Sequence, residues 1–455
     1  MAREIAIGIQ DFAKIRENHT FYIDKTEFIR EWWNSRDDVT LITRPRRFGK
    51  TLNMSMLECF FSNKYEGRAD LFEGLDVWKD EEFRKVQGTY PVIFLSFAGV
   101  KFADYRDTRV ALNGMIADLY NQYEWMLGDK KFTDADREAF KEVSKKMDDP
   151  TAALSLNRLC EWLYRYYGKK CIVLLDEYDT PMQEAYINGY WNELTAYIRA
   201  LFNNTFKTNP SLERAVMTGI TRVSKESIFS DLNNLTVVTT TSDRYAKSFG
   251  FTEEEVFAAM DEQGIPEGEK EKVKFWYDGF TFGSVRDIYN PWSVTLYLDE
   301  KKFDTHWANT SGNGLVGKLI QEGDKGIKTE FERLLYGEAI KARIDEQIIF
   351  SQLSGNRNAI WSLLLASGYL KVDRIIREDT NDEPVYVLSF TNFEVKRMFS
   401  RMIEGWFAQS EDFGEFVNAM FQGDVKGMNR YMNRVALNTF SYFDAGNRPS
   451  KEREP

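Results

Sequence analysis

The chain has 455 residues, 43% hydrophobic and 29% charged, a globular composition about three times the roughly 150-residue size of a single domain, so several packed domains are expected. Lys and Arg number 60 against 71 Asp and Glu, and the resulting net charge of −11 excludes a generally basic nucleic-acid coat. Cys59, Cys160 and Cys171 are too scattered for a disulfide framework or a zinc site, and with only His19 and His306 there is no histidine-cluster metal chemistry to expect.

The charged N-terminus lacks the apolar run of a signal peptide, and the most apolar stretch, Ala359 to Leu370, is shorter than the roughly 20 residues that span a bilayer. A cytoplasmic chain without a membrane segment is the expectation. Through residue 245, apolar β-branched runs alternate with helix-period segments, which is the α/β pattern. Strands are predicted at Val39–Thr43, Val92–Phe97, Cys171–Asp176, Ala215–Gly219 and Leu235–Thr240, as short continuous apolar runs of the kind buried in parallel sheets. Between them, Asn192–Phe206 reads as a helix, because Leu194, Tyr197, Ile198, Leu201 and Phe202 fall on one face.

Residues 246–305 are expected to form a helical lid, opened by a Thr252–Glu255 capping box and turned within the charged stretch Asp261–Lys274. Residues 306–392 read as a winged-helix-like region: a helix over Ile360–Leu365 ends at Gly368, and two strands, Tyr369–Arg374 and Val385–Ser389, flank a polar loop through Asp379 and Asp382. Helical patterns return over 393–455 and end in a polar tail from Ala445.

Two segments compete as a phosphate loop. Arg44-Pro45-Arg46-Arg47-Phe48-Gly49-Lys50-Thr51 fits the GxxxxGK[ST] frame except that Arg44 replaces the first Gly, and Pro45 brings no N–H. Gly312-Asn-Gly-Leu-Val-Gly-Lys-Leu319 has the glycines but puts Leu319 where a hydroxyl is needed, and no strand precedes it. Context favours the first, since a strand delivers it, an unbroken apolar helix follows, and Lys50 and Thr51 supply the ammonium and hydroxyl that outer phosphates and magnesium require. The second reads as a glycine-bearing turn before a short helix.

Cys171-Ile-Val-Leu-Leu-Asp-Glu-Tyr-Asp179 has the Walker B form of four apolar residues before adjacent carboxylates. Asp176 would hold magnesium at the strand's C-terminal end, and Glu177 would orient or deprotonate the attacking water; the plainer alternative is an acidic turn after a buried strand. Arg214–Arg222 is another apolar strand with a polar end, so Thr218 is a candidate sensor of the γ-phosphate. Arg222 is a candidate for neutralising transition-state charge, in cis or across a subunit interface, or else a surface ion-pair partner.

These segments, with Ile5–Phe12, Phe21–Phe28, Trp276-Tyr-Asp-Gly-Phe280 and Tyr289-Asn-Pro-Trp-Ser293, resemble the bacterial and archaeal AAA-ATPase-like family. The resemblance implies an α/β P-loop NTPase core with a parallel sheet of the additional-strand type, followed by a helical lid; the winged-helix-like and helical C-terminal region rests on the residue pattern given above. It makes Arg-Pro-Arg-Arg-Phe-Gly-Lys-Thr a usual phosphate loop, and ATP and magnesium the expected ligands. Such proteins typically continue into a PD-(D/E)xK nuclease domain, for which this chain offers only Asp382 followed by Glu394-Val-Lys396. That triplet reads as a helix start, so no nuclease is assigned to it.

The leading expectation is a magnesium-dependent ATPase acting as a switch or motor on an unknown protein partner. A non-hydrolysing nucleotide switch and a nucleic-acid-processing subunit remain alternatives, the latter with weak or indirect nucleic-acid contact because acidic residues match the basic ones around 357–383. Self-association is left open.

Overall fold

The computed structural model describes residues 2–222, 228–229, 232–307, 314–345, 353, 356–377, 383–408 and 422–439. Its centre is a parallel sheet of β1 (Val39–Thr43), β2 (Val92–Ser96), β3 (Cys171–Asp176), β4 (Leu212–Gly219) and β5 (Leu235–Val238), in the order β2-β3-β4-β1-β5. β4 therefore lies between the strand that feeds the phosphate loop and the strand that ends in Asp176. The register sets Thr43 beside Gly219 and Ser96 beside Asp176, so the candidate residues gather at the strands' C-terminal ends.

Alternate strand residues serve opposite faces, as the two-residue period of a strand requires. Ile42, Ile172, Leu174 and Val216 pack with Met54, Leu57, Phe60 and Phe61 of the helix Lys50–Phe61. Leu41, Val173, Leu175 and Met217 pack on the other face, against the helices Tyr105–Asn121, Asp149–Tyr167 and Trp191–Phe202. Burial on both faces is why β1 and β3 are apolar without alternation.

β2 stops one residue earlier than the sequence suggests, at Ser96, and two elements stop earlier by two residues or more. The helix from Trp191 ends at Phe202 and relaxes into a π turn, Asn203–Lys207, where Asn204 and Thr205 side chains donate to the Ala200 and Leu201 carbonyls at 2.8 and 2.7 Å. β5 ends at Val238 because Thr239 closes a turn with Ser242, its N–H donating to Ser242 Oγ at 3.0 Å.

Residues 246–305 are less helical than expected. The capped helix Glu253–Glu262 is present, with Thr252 and Glu255 forming the capping box, and Lys270–Tyr277 and Pro291–Glu300 follow. Among them runs an antiparallel sheet of β6 (Phe251–Thr252), β7 (Phe280–Phe282) and β8 (Val285–Tyr289), ordered β6-β8-β7. Strands of two to five residues carry too little alternation to announce themselves. The β7–β8 turn needs Gly283, at φ 57°, because a Cβ there would lie 2.4 Å from Asp243 Oδ1.

A third sheet, again antiparallel, of β9 (Ile340–Arg343), β10 (Leu370–Ile376) and β11 (Val385–Phe390), has the order β10-β11-β9. The helix Arg357–Ala366 precedes β10 as expected, whereas β9 went unforeseen. Helices Gly314–Gln321, Phe393–Ala408 and Val425–Thr439 are also present. The calls on Gly312, Asp379, Asp382 and the tail from Ala445 lie outside the described residues. Among the described residues no helix is long and apolar enough to cross a membrane, and the three cysteines are buried free thiols.

Candidate functional site

β1 delivers the chain into a loop that ends at Gly49, the N-cap of the helix Lys50–Phe61, where a φ of 77° suits a residue without a Cβ. No side chain caps this helix, so its N-terminal end is left to a ligand. Arg47 also takes a positive φ, 64°. The Lys50 ammonium is buried and donates to the carbonyls of Arg44 at 3.1 Å and Pro45 at 2.9 Å. Burial holds its pKa below the usual lysine value, opposed by the charges of Glu177, Asp176 and Asp179.

The Arg44 side chain is not on the cavity. Its guanidinium is buried, donates to the carbonyls of Thr43, Thr239 and Arg244 at 2.9, 2.6 and 3.2 Å, and lies 4.6 Å from the centre of the Phe282 ring. Burial brings its pKa down to about 9. Arg44 thus ties the loop to the end of β5 and to β7, and offers the site its main chain. Pro45 is likewise absent from the cavity wall.

At the end of β3, Asp176 is fully buried. It accepts from Thr51 Oγ1 at 2.7 Å and from the Thr218 hydroxyl of β4. Burial raises its pKa above the ordinary carboxylate range, against the pull of those two hydrogen bonds. Glu177 follows at φ 51°, a left-handed conformation that costs a non-glycine residue on the order of 1–2 kcal/mol. Its N–H donates to Thr218 Oγ1 at 3.4 Å, and its Oε2 accepts from Thr180 Oγ1 at 3.1 Å.

Asp179, to which sequence reasoning gave no role, is the keystone between the turns after β3 and β4. Its Oδ2 accepts from the Ile220 and Thr221 amides at 3.0 and 2.9 Å and from Thr221 Oγ1 at 2.9 Å. Gly219 permits the approach, since a Cβ there would stand 2.7 Å from Asp179 Oδ1. The signal in the sequence was a third carboxylate two residues after Glu177.

Phosphate loop and Glu177 share one cavity of about 410 Å³, within the 300–1,000 Å³ typical of small-ligand pockets. Arg46 to Asn53 form its floor, with Glu177, Thr180 and Gln183 at one side. The opposite wall is Ala6 to Gln10, Phe21 to Ile23, Phe251, Pro291 and Trp292. Arg47 places its guanidinium 4.0 Å from the centre of the Trp292 ring. These wall residues, Phe251 apart, lie in segments that carried the family resemblance, but nothing in their spacing marked them as binding groups.

Thr218 meets Asp176 rather than the cavity. Arg222 is half-buried and lines a separate small space with Thr43, Thr239, Thr240, Ile344 and Ser362. Glu394 is fully buried at the start of the helix Phe393–Ala408, accepting from Ser293 Oγ at 2.8 Å and the Trp307 amide at 2.6 Å. The Glu394-Val-Lys396 triplet is therefore a packed helix start, as its sequence context suggested.

Residues 6–229 match the family described as Predicted AAA-ATPase. The chain is also 27% identical over 396 residues to a protein of Azotobacter chroococcum mcd 1 described as an uncharacterized protein in the vnfD 5' region, with 87% of this chain and 68% of that one covered.

Proposed function

Because residues 6–229 belong to the AAA-ATPase-like family, we propose that this protein binds ATP in the cavity above the loop Arg46–Thr51 and hydrolyses it with magnesium. The observation that carries the reading is convergence: Lys50, Thr51 and Glu177 line a single ligand-sized cavity, with Asp176 bonded behind Thr51. In this reading the polyphosphate lies along the loop and the uncapped helix N-terminus, and the base lies against Ile7 to Gln10, Phe21 and Trp292. Lys50 would leave the Arg44 and Pro45 carbonyls for phosphate oxygens.

The residues suit magnesium. Among the described residues no group of three or more His, Cys, Asp or Glu is placed to hold a metal by itself. A hydroxyl and a carboxylate 2.7 Å apart are instead what a cation needs when phosphate oxygens and water complete its shell. Bound there through Thr51 and Asp176, magnesium would neutralise charge on the outer phosphates. Thr218 orients Asp176, and Glu177, adjacent in sequence and on the cavity wall, positions the water.

We read the helix Arg357–Ala366 with β9, β10 and β11 as a winged-helix-like unit that responds to the nucleotide state on behalf of a protein partner, supported by the helix-then-hairpin order. The test is phosphate release from ATP and GTP by wild type and Glu177→Gln. Turnover by wild type and tight nucleotide retention by the variant supports the ATPase; retention without turnover in both identifies a non-hydrolysing switch.

A further inference from the structure

The Arg46 carbonyl, in the middle of the phosphate loop, is held from outside the core by two side chains. Asn290 Nδ2 donates to it at 3.3 Å and Trp307 Nε1 at 2.9 Å. Neither donor is free to wander. Asn290 Oδ1 accepts from the Ser293 amide at 3.2 Å, Ser293 Oγ donates to Glu394 Oε2 at 2.8 Å, and Glu394 Oε1 accepts from the Trp307 amide at 2.6 Å. The five bonds close a ring through the phosphate loop, the helix Pro291–Glu300, Trp307 and the helix Phe393–Ala408. Asn290, Ser293, Trp307 and Glu394 are each at most 1% exposed.

A buried carboxylate is costly unless paired or hydrogen-bonded, and here the position at a helix N-terminus and two donors offset that cost. The indole of Trp307 is fixed as well, packed against Phe280 and Tyr369 with ring centres 5.5 Å away in each case. A second contact reaches the same loop from the C-terminal region: Gly368, at φ 83°, lies so close that a Cβ would be 2.7 Å from Pro45 Cγ.

The consequence for a ligand follows from peptide geometry. In a planar trans peptide the C=O of one residue and the N–H of the next point in opposite directions. Holding the Arg46 carbonyl outward therefore turns the Arg47 N–H the other way, and Arg47 lies on the cavity wall. That N–H has no hydrogen-bond partner among the described residues, and so is available to a phosphate oxygen.

We propose that Asn290 and Trp307, braced by Ser293 and Glu394, are positioning residues that preset the Arg47 amide for phosphate, so that the C-terminal region sets the loop's nucleotide affinity. The proposal rests on the nucleotide reading above. Trp307→Phe removes the indole N–H while keeping an aromatic ring between Phe280 and Tyr369. Glu394→Met removes the acceptors at similar length, and Glu394→Gln restores one for the Trp307 amide while the Ser293 hydroxyl can turn to accept.

The experiment measures dissociation constants for ATP and magnesium in the full chain, with thermal unfolding recorded for each variant. Trp307→Phe and Glu394→Met should each weaken binding about fivefold to tenfold, the scale of one lost hydrogen bond. Glu394→Gln should stay near wild type, and the Trp307→Phe, Glu394→Met double variant should lose little more than either single one, because both break the same ring. Wild-type affinity in folded Trp307→Phe, or losses that simply multiply in the double variant, overturns the ring while leaving the nucleotide site standing. Absence of nucleotide binding by wild type overturns both.

Discussion

Lys50 donates to two carbonyls of its own loop and to no carboxylate, an arrangement that a polyphosphate outcompetes by offering full negative charge. Lys50→Ala should abolish ATP binding measured by calorimetry while the far-ultraviolet circular dichroism spectrum stays native. Unchanged affinity would move the phosphate loop elsewhere. Asp176 makes a different demand: it joins Thr51 to Thr218, so Asp176→Asn should weaken ATP binding at least tenfold in magnesium and little in EDTA, on the scale of a lost charged hydrogen bond. Equal affinities in the two buffers for both proteins would leave Asp176 as part of an acidic turn. These residues were legible because type and spacing announce their chemistry. Arg44 was not: the motif lists it beside Arg46 and Arg47, and only the folded position of Thr239, Arg244 and Phe282 turns its side chain away from the cavity.

At the scale of elements, legibility followed burial. β1 and β3 kept their expected ends because every residue in them is buried, so apolar run and strand coincide. β6, β7 and β8 were invisible for another reason: strands of two to five residues carry too little alternation, even though β7 and β8 pair as a local hairpin. Their neighbourhood holds a titration that the sequence does not reveal. Asp278, which caps the helix Lys270–Tyr277, is largely buried beside Asp287, and its Oδ1 is buried without a hydrogen-bond partner. Burial first, then the charge of Asp287 and that of Glu253, raises the carboxyl to about 7, against the pull of Lys274. An unfolded aspartate titrates near 3.9, so the folded chain binds this proton more tightly than the unfolded one. The stability it contributes is fully present below about pH 4 and is lost as pH rises through about 7. Asp278→Asn should therefore lessen the fall in Tm between pH 5 and pH 8, measured by calorimetry. A fall identical to wild type would show that the proton is not held there.

At the scale of the whole molecule, the regions after the core do not hang from it by a linker. Trp292 forms part of the cavity wall beneath Arg47, Phe280 and Phe282 pack on Phe48 with ring centres 4.7 and 5.4 Å away, and Trp276 meets Phe393 at 4.8 Å. A ligand that reorders the phosphate loop must therefore bias contacts that reach the helix Phe393–Ala408, and coupling of this kind is reciprocal in free energy. The motif residues could be read from the sequence, but this wrapping could not, because it depends on side chains 117 to 245 positions apart in an otherwise ordinary composition. The expected signature is in hydrogen exchange: an ATP analogue with magnesium should increase amide protection across residues 275–295 as well as at the phosphate loop, over the minutes to hours that local opening takes. Protection confined to the loop, with 275–295 unchanged, would mean that the nucleotide is held by the core alone and that the neighbouring elements pack against it without responding.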